Sequence, residues 1–212
     1  MPYSPETQAE VDTIVARYRD HTRSAVMPLL HLLQSIDGRV SPEAIEYIAE
    51  RLDLTTAHVT GVASFYTMYK RKASGKHHVG VCVNSLCGLL GGDAIWQTLV
   101  DEGGAVHNDT TPDGEFTFER IECQAACTHA PVMTVDWEFM DQMTPEKARQ
   151  LLADLRAGNE VRSTRGPVIT SWEHTERVLS GYDDHAADEG PAADALMLAG
   201  LEAFKRQNGQ EG

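Results

Sequence analysis

Apolar positions in the first seventy residues recur at helical spacing. Val11, Ile14, Val15 and Tyr18 fall at i, i+3, i+4 and i+7, and Ser4-Pro5-Glu6 supplies a start signal. Ala25 to Leu33 is apolar almost all round, broken only by Pro28 and His31, and this predicts a buried helix. Ser41-Pro42-Glu43 opens a third helix carrying Ile45, Ile48, Ala49 and Leu52; Val59, Val62, Ala63 and Tyr66 mark a fourth. Residues 1–72 therefore read as a helical bundle. His31 and His58 are lone histidines on these helices, expected to pack or to face solvent rather than to bind metal. The aromatic stripe Phe65, Tyr66 and Tyr69 is expected to be mostly core, the alternative being a face that lines an interface with a neighbouring subunit.

The period changes to two after a basic link, Lys70 to Lys76. Val79, Val81 and Val83 alternate with Gly80 and Cys82, which predicts a strand. Gly92-Asp93 opens a helix with Ile95, Trp96, Leu99 and Val100. Thr111 to Glu115 reads as a turn and Phe116 to Ile121 as a second strand. Met133, Val135 and Trp137 read as a third strand, and Thr144-Pro145-Glu146 caps a helix with Ala148, Leu151, Leu152 and Leu155. The order β-α-β-β-α over residues 73–157 makes an α/β unit. Residues 158–212 differ in character. Ser180 to Asp194 holds five acidic residues and no Lys or Arg, which suits a mobile linker. Met197, Gly200, Leu201 and Phe204 then mark a short amphipathic helix, either docking on a partner or the body, or fraying free.

The 212 residues are enough for one sizeable domain with an appended piece. Eighteen basic against 32 acidic residues give a formal net charge of −14, which opposes binding to nucleic acid or to an anionic membrane. No apolar run reaches the roughly 20 residues of a spanning helix. The charged start, Met1 to Asp20, has no signal-peptide core, so a cytosolic setting is expected.

The candidate chemistry lies in four cysteines. Cys82, Cys87, Cys123 and Cys127 are spaced C-x4-C-x35-C-x3-C, with none left over. In a reducing compartment such pairs more often bind metal than form disulfides. A thioredoxin-type C-x-x-C is absent. Zinc held by four thiolates and a [2Fe-2S] cluster with two thiolates per iron both remain open; strand-like flanks and nearby glycines (Gly88, Gly91, Gly92) lean to iron–sulfur. Each pair follows a predicted strand, so two loops at one end of a sheet could converge.

Several stretches together resemble the E-subunit family of NADH–quinone oxidoreductase, a thioredoxin-like [2Fe-2S] family. They are Arg23 to His31, Gly61 to Tyr69, Cys82-Val83-Asn84-Ser85-Leu86-Cys87, Glu122-Cys123-Gln124-Ala125-Ala126-Cys127 with Ala130-Pro131, and Met143-Thr144-Pro145-Glu146. The resemblance implies a helical bundle followed by a thioredoxin-like domain. It further implies one [2Fe-2S] cluster on Cys82, Cys87, Cys123 and Cys127, and a neighbouring subunit that carries FMN and binds NADH. Other subunits of the peripheral arm would be partners as well, and the complex would sit at the inner face of the membrane. The cluster would take single electrons from the flavin, at a low potential of the kind found in plant-type ferredoxins, near about −400 mV. An equivalent diaphorase subunit of an NAD-dependent formate dehydrogenase or NAD-reducing hydrogenase shares the cysteine pattern and stays open, as does a zinc-stabilised interaction module. No catalytic acid, base or nucleophile is expected in this chain. One departure stands out: the family usually has Leu-Gly-Ala between the last two cysteines, where this chain has Gln124-Ala125-Ala126. With no cysteine beyond Cys127, a chain cut after Ser180 is expected to keep its cluster.

Overall fold

The computed structural model describes residues 2–186, 189–190 and 193–209. Along the chain its elements are α1 (Pro5–Ala16), α2 (Val26–Asp37), α3 (Pro42–Arg51), α4 (Thr56–Phe65), β1 (His77–Cys82), α5 (Ser85–Leu89), α6 (Gly92–Gly103), β2 (Asp109–Thr110), β3 (Phe116–Ile121), β4 (Met133–Val135), β5 (Glu138–Met140), α7 (Pro145–Arg156), α8 (Trp172–Leu179) and α9 (Ala195–Gln207). Short 3-10 turns lie at Thr22–Ala25 and Cys127–His129. The described residues fall into two compact units. One holds the residues up to His78, Asn108–Thr117 and Thr170–Asp184. The other holds Val79–His107, Phe118–Ile169 and the described residues from His185 on.

Helices α1, α3 and α4 of the first unit start where side chains satisfy their free N–H groups. Ser4 accepts the Thr7 N–H, Ser41 that of Ala44 and Thr55 that of His58, while proline opens α1 and α3. Their inward stripes form one core, with Val11, Ile14, Leu29, Leu30, Leu32, Leu33, Ile48 and Val59 fully buried. The aromatic stripe divides: Tyr69 is buried, but Phe65 is 77% exposed and Tyr66 is 42% exposed, so the expected core packing holds only for Tyr69.

The sequence pattern did not foresee α8. It packs on α2, and the position it buries completely is a glutamate. Glu176 lies 2.6 Å from Nδ1 of His31 and accepts from Nε2 of Gln34 at 2.7 Å. Gln34 in turn accepts the Lys70 N–H at 2.6 Å. His31 is thus a buried hydrogen-bonding residue. Arg177 pairs with Glu10, and Arg17 donates to the Gly181 carbonyl at 2.9 Å; both fix the C-terminal end of this segment.

The sheet has the order β2-β3-β1-β4-β5. Strand β1 pairs antiparallel with β4 (Val79 opposite Val135), and β4 with β5. His77 donates to the Glu115 carbonyl and Val83 to that of Ile121, so β1 and β3 advance in the same direction. The third predicted strand is shorter than its alternation suggests. Asp136 and Trp137 both take positive φ, 49° and 70°, and turn the chain into β5. Two such residues match the twist of a tight hairpin, and this ends β4 at Val135. In the second unit α6 and α7 pack together, burying Ile95, Leu99, Ala148, Leu151 and Leu152. Of the acidic linker, Glu189 pairs with Arg162 at 3.7 Å; the part of that predicted linker at 187–188 and 191–192 lies outside the described residues.

Candidate iron–sulfur site

Because β1 and β3 are parallel neighbours, the two cysteine loops leave the same end of the sheet. Cys82 is the last residue of β1, and Cys87 lies in α5 just beyond. Cys123 follows β3 by two residues, and Cys127 opens the 3-10 turn. Asn84 of the first loop donates to the Glu122 carboxylate of the second at 2.6 Å. The Cys82 N–H donates to Val132 at 3.1 Å. Cys82, Cys87, Ile121, Ala126 and Val132 form a small apolar core, with Ala130 and Phe139 against it.

The pairs differ in exposure: Cys82 and Cys87 are buried, whereas Cys123 and Cys127 reach solvent. The sulfurs of Cys123 and Cys127 are 3.6 Å apart. Burial pushes the Cys87 thiol up to about 11; the neighbouring Cys82 and Cys127 sulfurs add to this, and the Val132 N–H that points at the Cys87 sulfur opposes it. The Cys127 thiol is raised mainly by its hydrogen bond with Cys123, and it also feels Cys82. Each pair therefore lies within electrostatic reach of the other at this end of the sheet.

The surroundings fit a [2Fe-2S] group. The thiols form two pairs, and two thiolates per iron is what a two-iron cluster takes. Gly92 starts α6 against both buried cysteines: a Cβ there would stand 2.6 Å from the Cys82 carbonyl oxygen and 2.9 Å from that of Cys87. Arg120 of β3 pairs with Asp93 at 2.6 Å and stacks over Trp96, holding the first turn of α6 in place. Nδ1 of His129, two residues past Cys127, is buried without a hydrogen-bond partner.

Three features of the site lay outside the sequence reading. The stretch after Cys82, expected as a glycine-bearing loop, is the short helix α5, with Leu86, Leu89 and Leu90 exposed around it. Ala125 adopts φ 56°, a left-handed conformation. This is the position where the family pattern carries glycine, so the departure seen in the sequence is a departure in backbone freedom. Finally, residues past Ser180 return to the site. Asp194 caps α9 and accepts from Nε2 of His129 at 2.6 Å, and its carboxyl is held below the ordinary range by the Met197 N–H and by His129. An Asp before an apolar-periodic run signals a cap; nothing in the sequence signals its partner.

The model of the thioredoxin-like [2Fe-2S] ferredoxin family matches residues 11–156. The chain belongs to this family. Among curated members of similar sequence, the E subunit of the Mycobacterium tuberculosis NADH-quinone oxidoreductase is 45% identical over 213 residues, covering 98% of this chain and 84% of that protein. NADH-quinone oxidoreductase subunit 2 of Thermus thermophilus is 36% identical over 169 residues, covering 79% of this chain and 93% of its own length. A solved NAD+-reducing [NiFe]-hydrogenase shares the fold, with a TM-score of 0.56 and 15% identity over 63% of this chain and 23% of the hydrogenase chain. The thioredoxin-like ferredoxin fold fits the mixed helices and five-stranded sheet within residues 11–156, and α8 and α9 lie beyond the family model.

Proposed function

We propose that this chain is the [2Fe-2S] electron-carrier subunit of an NADH–quinone oxidoreductase, with Cys82, Cys87, Cys123 and Cys127 as the cluster ligands. The observation that carries this reading is the convergence of two cysteine pairs at the shared end of β1 and β3. The 45% identity over nearly the whole chain to a subunit of that complex supports the assignment over a hydrogenase role, for which only the fold speaks. When bound, a [2Fe-2S] cluster accepts and returns one electron at a time. The chain's own residues supply the rest. Buried Cys82 and Cys87 hold one side away from water, and the Val132 N–H donates to the Cys87 sulfur and eases the negative charge there. Cys123 and Cys127 hold the other side at the surface, the edge at which an electron would cross to or from a partner. That partner is the flavin-bearing subunit, which takes a hydride from NADH and releases electrons singly. This chain binds neither NADH nor FMN; it associates with the membrane through the complex, and no helix among its described residues is long and apolar enough to cross a bilayer.

The test is iron and sulfide analysis of anaerobically prepared protein, with electron paramagnetic resonance after dithionite reduction. Two irons and two sulfides per chain and a signal near g = 2 (about that of a reduced [2Fe-2S] centre) are expected, and Cys82→Ser or Cys127→Ser abolishes or badly weakens both. Zinc without iron would overturn the reading, and a variant keeping full iron and an unchanged spectrum would overturn that ligand.

A further inference from the structure

Helix α9 buries none of its residues; Leu196, Met197, Leu198, Leu201 and Phe204 are all 40–56% exposed. Apolar packing therefore does little to hold it. It meets the body at the 3-10 turn that begins with Cys127. There Asp194 uses both carboxylate oxygens. Oδ1 accepts the Met197 N–H at 2.8 Å and caps the helix. Oδ2 accepts from Nε2 of His129 at 2.6 Å. The His129 side chain is only 8% exposed, against 47% for Asp194. Its backbone is fixed on both sides: the His129 N–H donates to Ala126 at 2.9 Å, and its carbonyl accepts from Gln142 at 2.8 Å. A charged acceptor on a buried ring is among the stronger hydrogen bonds available to a protein. The ring it grips is part of the turn that carries an exposed cysteine.

We propose that Asp194 and His129 form a tie that makes the C-terminal helix a closing piece of the cluster site. The tie holds the Cys127 turn in its ligating form, and the loaded site in return holds α9. Such coupling is reciprocal by necessity: if α9 favours the loaded loop, loading favours docked α9. The Asp194 end of the tie lies beyond the family model, which covers residues 11–156 and includes His129. It rests on the cluster reading given above.

The reciprocal form gives the experiment. Hydrogen exchange of the α9 amides is measured in the full chain, loaded and cluster-free, for the wild type, Asp194→Ser and Asp194→Asn. Serine keeps the helix cap but is too short to reach His129. Asparagine keeps the cap with its one oxygen but turns a donor NH2 toward His129 in place of the second carboxylate oxygen. Loading is expected to slow α9 exchange in the wild type and to leave it unchanged in both variants. Iron loss to a chelator is expected to be about tenfold faster in Asp194→Ser and in Asp194→Asn, within the usual range for coupled sites. Loaded wild-type protein whose α9 exchanges as in the cluster-free chain would overturn the tie alone. So would an Asp194→Ser variant that loses iron at the wild-type rate. Protein that takes up no iron and sulfide would overturn the tie together with the reading beneath it.

Discussion

Replacing Ala125 by glycine should stabilise the cysteine loop, and the gain can be worked out in advance. Ala125 sits at φ 56°, where its Cβ crowds the backbone. For an L-residue that conformation costs about 1–2 kcal/mol, and glycine escapes the cost. The methyl group is exposed, so removing it opens no cavity and sacrifices little burial. Against the gain stands the greater freedom of glycine in the unfolded chain, worth about 0.4–1 kcal/mol. The balance is a stabilisation of about 0.5–1 kcal/mol, or roughly 1–4 °C in a chain of this length. The assay is the thermal midpoint of the loaded protein, followed by cluster absorbance, which reports the loop itself. Ala125→Val is the opposing control, because a branched side chain tolerates left-handed backbone worse; its midpoint should fall. If Ala125→Gly leaves the midpoint unchanged or lowers it, the left-handed residue is not a source of strain and the reasoning fails.

Gly92→Ala puts a Cβ 2.6 Å from the Cys82 carbonyl oxygen, where only backbone can yield; iron content should drop sharply while far-ultraviolet circular dichroism stays native, and full iron retention would contradict the close approach. Glu176→Ala strips a buried hydrogen-bond partner from His31 and Gln34, a loss of about 3 kcal/mol, and the thermal midpoint should fall by roughly 6–12 °C; a fall under about 2 °C would show that the buried glutamate stabilises little. In cluster-free protein, burial keeps the Cys87 thiol protonated up to about 11, from an ordinary value of 9.0. The unfolded chain ionises first, so this contribution to stability is present below pH 9 and is lost as pH rises toward 11. An alkaline titration of the denaturation midpoint should show the loss, and Cys87→Ser should flatten it.

The parts of the fold that could be read from sequence are those where burial and apolarity coincide. Val11 and Ile14 and the leucines of α2 announced their helices because these buried positions are hydrophobic ones, and Ser4 and Ser41 announced the starts of α1 and α3 as caps. α8 was hidden for the opposite reason: its fully buried residue is Glu176, which any hydrophobic pattern scores as surface. Trp137 continued the alternation of β4 in sequence, but backbone geometry at Asp136 and Trp137 overrode it. At the site, spacing and resemblance pointed to the four cysteines because the chemistry needs those residue types. The hold of Asp194 on His129 left no trace, since a hydrogen bond across 65 positions imposes no period on the chain between.

The pairing of α2 with α8 also bears on how the molecule is made. His31 and Glu176 are 145 positions apart, and every residue of the cysteine loops is translated between them. During synthesis the N-terminal helices emerge with the polar edge of α2 still open, and they cannot close until nearly the whole chain has left the ribosome. Contacts so distant in sequence form late. All four cysteines thus reach the solution before the helices of the first unit make their last contact, that of Glu176 with His31.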